Sequence, residues 1–328
     1  MKPSPFHTIP YLMAYRRHFG AGKDFHRIRL GDETKAFLMT RGRSASRVEW
    51  WGAGIHDIGG ASYQSSEDAK KIWQQIEHFS RQHHAARLAQ IPESCALLEY
   101  AAESGWQIED SEVCPELALP STWDEYLKML GKNMREQMRR YPRRLEKQFS
   151  VEYELAQDVP AVEQALGDLF RLHGKRWRSQ GQTGVLATPR RQQFHRDVCR
   201  AFLKRDWLRL WTLRCDGEAV CVLLNYYHGG KYFFFIGGFD PEWSRLSVGT
   251  CLFSRVFQHA IEEGAHSFDF LRGAEAYKYR YGAVDKYYKT ISWHSESPRG
   301  RLMRHRISLE NRVQHHIHER FSAAAKGK

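Results

Sequence analysis

Six cysteines, Cys95, Cys114, Cys199, Cys215, Cys221 and Cys251, are spread along the chain with no CxxC or CxxxC pair among them. Closely spaced thiols are what structural zinc sites and dithiol redox centres use, so neither is expected; the cysteines read as reduced, mostly buried thiols. Long apolar runs are also missing. The most apolar stretch, Tyr232–Phe239, falls far short of the roughly 20 residues a membrane-spanning helix needs. The first residues, Met1–Tyr15, hold prolines and one lysine but no apolar segment of a secretion signal, so a cytoplasmic location is expected. Neither a GxSxG nucleophile elbow nor a Walker loop occurs. His83-His84 and the tract His315, His316, His318 lack carboxylate or cysteine partners at ligand spacing, and no metal is expected. Acidic residues are under-represented: 38 Asp and Glu face 50 Lys and Arg, for a net charge of +12. That balance favours anionic partners such as nucleotide phosphates, RNA or a lipid surface, and selects none of them.

What the chain does have is apolar mass. Hydrophobic residues make up 42% of its 328 positions and aromatics 13%, enough for two cores of ordinary size. Tandem repeats of solenoid period are absent, but each half reads as extended segments, a helix and a further extended segment. In the first half the strands are Phe25–Leu30, Lys35–Thr40 and Arg47–Gly52, and the helix is Ser66–His84. Ser65 and Ser66 cap that helix, Glu67 and Asp68 fill its first turn, and Ile72, Trp73, Ile76 and Phe79 recur at helical spacing. A basic helical stretch, Trp123–Gln148, follows; Pro142 predicts a kink or break near Tyr141. Helices are expected over Val162–Arg178 and from Thr188-Pro189 to about Lys204, with a glycine-containing loop between them. The order is then strand Trp207–Arg214, turn Asp216-Gly217, strand Glu218–Tyr227, turn Gly229-Gly230, and strand Lys231–Phe239, an antiparallel meander. A loop, a helix Thr250–Glu263, a short strand Ser267–Leu271 and a last strand Tyr287–His294 complete the pattern. Arg299–Phe321 reads as an amphipathic tail helix. Three segments result: 1–150, 151–298 and a basic tail, 299–328.

The turn Trp243–Thr250 joins a strand to a helix N-terminus through small residues. Unpaired N–H groups and the positive end of the helix dipole favour phosphate there. Ser247, Val248, Gly249 and Thr250 are the backbone candidates, and Arg245 can add a charge-assisted contact. Gly237 and Gly238, at the end of an otherwise bulky strand, suggest a bulge or a close backbone approach, the geometry that would seat a pantetheine arm. Trp177, between Arg176 and Arg178, is a candidate wall for an acceptor groove.

The run Ser267-Phe-Asp-Phe-Leu-Arg-Gly-Ala-Glu-Ala-Tyr-Lys-Tyr-Arg-Tyr-Gly-Ala283 resembles the FDFLxGxExYKxxxG signature of CelD-like acetyltransferases. These are GNAT-fold proteins related to the Fem peptidyl transferases. Further matches lie at Phe239-Asp240-Pro241-Glu242, Leu246-Ser247-Val248-Gly249, Asp216-Gly217 and Arg176-Trp177, and Leu119–Glu146 resembles that group's LPxxWxxYL…RRLEK region. The likeness is good over about 115–295 and weak before it. In the place of the usual RxxGxG/A phosphate loop stands Arg245-Leu-Ser-Val-Gly-Thr, with one residue more before the glycine.

The resemblance implies an α/β (α+β) protein of two tandem GNAT-like modules, each a mixed, mostly antiparallel sheet flanked by helices. The first would be a degenerate, acceptor-side module and the second the acyltransferase. Acetyl-CoA or another acyl-CoA would be the co-substrate, and an amine or hydroxyl of a sugar or envelope-polysaccharide precursor the acceptor. Acyl transfer needs a base for the nucleophile, charge for the developing oxyanion and an acid for the leaving thiolate. Asp269 is the candidate base or orienting group, Lys278 the oxyanion partner and Tyr277 (or Tyr279) the acid, with Glu275 a second carboxylate on the substrate side. A Fem-like transferase using aminoacyl-tRNA is the alternative that the basic helix favours. A non-catalytic GNAT-like binding module in polysaccharide assembly is the alternative of another class.

Overall fold

The computed structural model describes residues 4–42 and 46–310. In the first part of the chain the elements are α1 (Ile9–Phe19), β1 (Lys23–Leu30), β2 (Glu33–Arg41), β3 (Arg47–Trp50), α2 (Ser66–Arg81), β4 (Ala85–Pro92), α3 (Leu97–Glu103) and β5 (Gln107–Asp110). Then come β6 (Cys114–Ala118), α4 (Trp123–Met129), α5 (Lys132–Glu146), β7 (Val151–Leu155), α6 (Val159–Arg178) and α7 (Pro189–Leu203). Beyond them lie β8 (Leu208–Cys215), β9 (Glu218–His228), β10 (Lys231–Phe239), α8 (Val248–Glu262), β11 (Ser267–Asp269), α9 (Ala276–Arg280), β12 (Val284–Lys286) and β13 (Tyr288–His294). Residues 298–310 are helical; the remainder of the expected tail helix lies outside the described residues.

These elements form two mixed sheets flanked by helices, of order β1-β2-β3-β4-β13-β5 and β12-β6-β11-β10-β9-β8-β7. The expected α/β class with two mixed, mostly antiparallel sheets is what is found. The contacts divide the chain into two compact units, both discontinuous in sequence: one gathers residues up to 115, 272–277 and those from 285 on, the other 116–271 and 278–284.

In the first unit, Ser65 accepts the Asp68 N–H at 3.1 Å and starts α2, whose buried Ile72, Trp73 and Ile76 pack with Val48, Trp50, Leu88 and Trp106. The strand expected over Tyr287–His294 is β13. It pairs with β4 and β5, so a strand from late in the chain completes the first sheet.

The second unit bears out the meander. Asp216 and Gly217 have φ of 51° and 80°, and Gly229 and Gly230 have 61° and 78°. Two successive positive φ values let a two-residue turn match the twist of its strands, which is why Asp-Gly and Gly-Gly occupy them. The basic stretch differs from its expectation. It is two helices, α4 and α5, and α5 continues through Pro142. Proline removes the N–H that would bond the Met138 carbonyl. The buried Ser254 hydroxyl of α8 donates to that carbonyl instead, at 3.4 Å. Met134, Met138 and Leu145 are the buried face of α5, leaving Lys132, Arg139, Arg140, Arg143 and Lys147 toward solvent.

Candidate functional site

Strand β10 pairs antiparallel with β9 along its length, with a register shift between Phe234 and Ile236. Phe235 is the extra residue of this bulge, two positions before the glycines. On its other edge β10 pairs parallel with β11 only from Lys231 to Phe233, opposite Ser267 to Asp269. Past that point the two strands part, and the backbone of residues 234–239 has an edge that no strand among the described residues occupies.

Immediately downstream, the chain turns through Asp240, whose carboxylate accepts the Glu242 N–H at 3.0 Å, and a 3-10 turn over Pro241–Leu246 leads into α8. Ser247 precedes α8 with φ 56° and makes no side-chain cap. The helical ladder opens with the Cys251 N–H on the Ser247 carbonyl, so the N–H groups of Val248, Gly249 and Thr250 stand ahead of it. Nothing lies within 4 Å of where a Cβ on Gly249 would be. The Arg245 side chain is exposed, while its carbonyl accepts Arg144 of α5 at 2.9 Å, which ties the basic helix to the turn.

The glycines have packing reasons of their own. A Cβ on Gly238 would stand 2.7 Å from the His173 nitrogen of α6, and one on Gly237 2.7 Å from Leu223. Only glycine lets β10 lie this close to α6. Trp177 is half-buried on α6 and donates from its indole N–H to His173 Nε2 at 2.8 Å. Burial, with Arg176 adding to it, lowers the His173 pKa to about 4.

Asp269 ends β11 and is buried, opposite Glu116 of β6. Burial, reinforced by Glu116 and opposed by Lys231 and Lys278, raises its carboxyl to about 7. Its Oδ1 accepts the Leu271 N–H at 2.8 Å. Leu271 has φ 55°, a left-handed conformation costly for a branched side chain, and its carbonyl takes the buried Lys278 ammonium at 3.2 Å. Asp269 and Lys278 therefore grip one strained residue from its two ends. Leu271 is a turn residue rather than the strand residue expected.

The other sequence candidates fall elsewhere. Tyr277 and Glu275 belong to the first unit, where Glu275 is exposed and its carboxylate folds over Gly273. Tyr279 is 36% exposed on α9. A residue not singled out from sequence holds the relevant place: Tyr281, buried, sets its hydroxyl 3.3 Å from Thr250 Oγ1 at the start of α8. Its ring packs against Phe253, Phe257 and Phe270. Burial pushes its hydroxyl up to about 12. The Tyr281-Gly282 pair closing the signature was the available signal: it follows directly on α9, and Gly282 has φ 89°. All six cysteines are buried and unbridged, and no cluster of metal-ligating side chains occurs among the described residues.

A bulged strand thus parts from its parallel neighbour ahead of an uncapped helix N-terminus. Residues 132–279 match the family described as "Acetyltransferase (GNAT) domain". A search of curated protein sequences finds no match. Among solved structures the chain is similar to FemX, with 11% identity, coverage of 90% of this chain and 94% of that one, and a TM-score of 0.68. It is also similar to L-PGS from Bacillus licheniformis, with 16% identity, coverage of 89% and 94%, and a TM-score of 0.60. The C-terminal domain of a putative lysylphosphatidylglycerol synthetase from Agrobacterium fabrum gives 14%, 89% and 90%, and 0.59. At these identities the likeness is one of fold. No helix among the described residues is long and apolar enough to cross a membrane.

Proposed function

We propose that the protein moves an acyl group directly from an acyl-CoA to an amine or hydroxyl acceptor, of the class of sugars or envelope-polymer precursors. The observation that carries this reading is the free edge of β10 beyond its bulge, leading into the uncapped N-terminus of α8. The edge supplies backbone groups for the pantetheine amides. The N–H groups of Val248, Gly249 and Thr250, with the helix dipole, suit the pyrophosphate. Gly249 leaves room for its close approach, and Arg245 is exposed at the same turn. CelD-like specificity rests on the signature at Ser267–Ala283.

For the chemistry, Asp269 takes the proton of the attacking amine or hydroxyl; a carboxyl near neutrality is matched to that task. Lys278 holds the Leu271 peptide in place and supplies positive charge beside it. Tyr281, at the helix that receives the donor, returns a proton to the leaving thiolate; Tyr277 is kept as the second candidate acid. Trp177 and Glu275 are the candidate substrate-contacting residues.

Titration calorimetry of the full chain with acetyl-CoA, and then with longer acyl-CoAs, tests the donor. Binding in the micromolar range is expected. A Gly249→Val variant, which brings a branched side chain into the open space at the helix start, weakens it by at least about tenfold. Absence of binding at millimolar ligand sinks the reading. An aminoacyl-tRNA donor is the second reading, favoured by the exposed cationic face of α5; tight tRNA binding without coenzyme A binding would establish it in place of the first.

A further inference from the structure

The first unit holds a buried polar centre that the donor chemistry does not use. It lies on the loop joining β3 to α2, where His56 is 6% exposed. The loop is firmly built. Trp51 donates its backbone N–H to Phe37 O and its indole N–H to Leu12 O, and Ala53 O accepts the Tyr15 hydroxyl at 3.2 Å. Gly52, at φ 108°, lets the imidazole lie across the backbone; a Cβ there would sit 3.2 Å from the ring. Gly59 is pressed between the Trp50 ring and the Ala89 carbonyl, and its N–H bonds Gln90 O.

His56 Nδ1 lies 2.7 Å from the Ile58 carbonyl, the ring's one hydrogen bond among the described residues. A carbonyl only accepts, so Nδ1 carries the hydrogen and Nε2 presents its lone pair. Burial, with Arg272 adding to it, lowers the imidazolium pKa to about 4, so the lone pair persists at neutral pH. Next along the chain, Asp57 accepts Arg272 Nε at 2.5 Å, and Glu112 stands 3.9 Å from the same guanidinium. The Gly273 N–H on Val113 O holds the signature segment here. The charges of Asp57 and Arg272 also act on the fully buried Tyr11.

We infer that His56 Nε2, flanked by Asp57 and Arg272, is an acceptor-recognition site that takes a hydrogen bond from the hydroxyl or amine of an amino-sugar or sugar substrate. A fixed neutral acceptor suits an O–H or N–H donor, and the paired guanidinium and carboxylate suit the neighbouring polar groups of a sugar ring. The inference rests on the acyl-transfer reading for its substrate class, and its first test needs no transfer activity.

Diethyl pyrocarbonate attacks the unprotonated nitrogen of a histidine. On the full-length protein, peptide mapping is expected to find His56 modified, and protected by glucosamine in preference to methyl glucoside if the amine is the group recognised. Equal protection by both points to a hydroxyl. No modification of His56 while His78 reacts, or no protection by either sugar, overturns the site. In a coenzyme A release assay, His56→Phe is expected to raise the KM for the sugar about tenfold and leave that for acetyl-CoA unchanged, as for one lost neutral hydrogen bond. His56→Gln, which keeps an acceptor, recovers part of the loss. An unchanged sugar KM in His56→Phe overturns the inference. No coenzyme A release above the hydrolytic background with any acceptor overturns acyl transfer, and labelling with protection then still decides whether the sugar site exists.

Discussion

Asp269 has two roles at the residue scale. It anchors the strained Leu271 peptide, and it carries a carboxyl raised by burial from 3.8 to about 7. The folded state therefore keeps its proton to higher pH than the unfolded chain does. Stability contributed by that proton is present below about pH 4 and is lost as pH rises to about 7, up to about 4 kcal/mol in all. Asp269→Asn keeps an oxygen for the Leu271 N–H and does not titrate. Its melting temperature is expected to fall less than that of the wild type between these pH values, by differential scanning calorimetry. If Asp269 is the base, wild-type kcat/KM rises through about pH 7, and the variant is flat and slower by at least about a hundredfold. A variant retaining the wild-type rise removes Asp269 from proton transfer. The tyrosines carry the complementary lesson. Tyr277, Tyr279 and Tyr281 are equally spaced in sequence, and the third has its hydroxyl at Thr250. Which of them reaches a helix start depends on how α9 turns, and alternate spacing on a five-residue helix does not encode that.

At the scale of elements, the informative piece is α5. Pro142 predicts a kink or break near Tyr141, yet α5 continues, and the Met138 carbonyl is where the missing N–H shows. The helix persists because a serine from α8 reaches that carbonyl, a partner 116 residues away in sequence. Ser254→Ala is expected to destabilise the protein by about 1 kcal/mol. In a Pro142→Ala background, where the restored backbone N–H can bond the Met138 carbonyl, the same change costs markedly less. Chemical denaturation of the four proteins of this double-mutant cycle checks it; additive effects would mean that Ser254 does not substitute for the missing N–H. The strand glycines follow the same logic. Gly237 and Gly238 were legible as the sign of a bulge or a close approach, and both occur, the bulge at Phe235. That Gly238 answers to the backbone of α6 is a fact of packing.

For the molecule as a whole, the net charge of +12 suits the anionic donor proposed above. Raising salt from about 50 to about 200 mM is expected to weaken acetyl-CoA binding by a few-fold, as a handful of phosphate charges is screened. A tRNA donor running along exposed α5 would lose on the order of a thousandfold over the same range. Isothermal titration across the salt series separates them, and a salt-insensitive affinity for acetyl-CoA contradicts the proposed phosphate site at α8.

By itself, the sequence determined the local and repeating parts: the two turns with paired positive φ, the capped α2, the meander, α8 after its loop, and the signature that points to a GNAT domain. These are encoded within a few residues, by backbone freedom, capping oxygens and side-chain period. Tertiary structure alone decided the rest. It sent β13 into the first sheet and set β6 beside β11, split the basic stretch into two helices, raised the Asp269 carboxyl, and fixed the tautomer of His56. Each of these depends on which groups meet after the chain has closed long loops, and on water being excluded where they meet. Neither condition is a property of neighbouring residues in sequence.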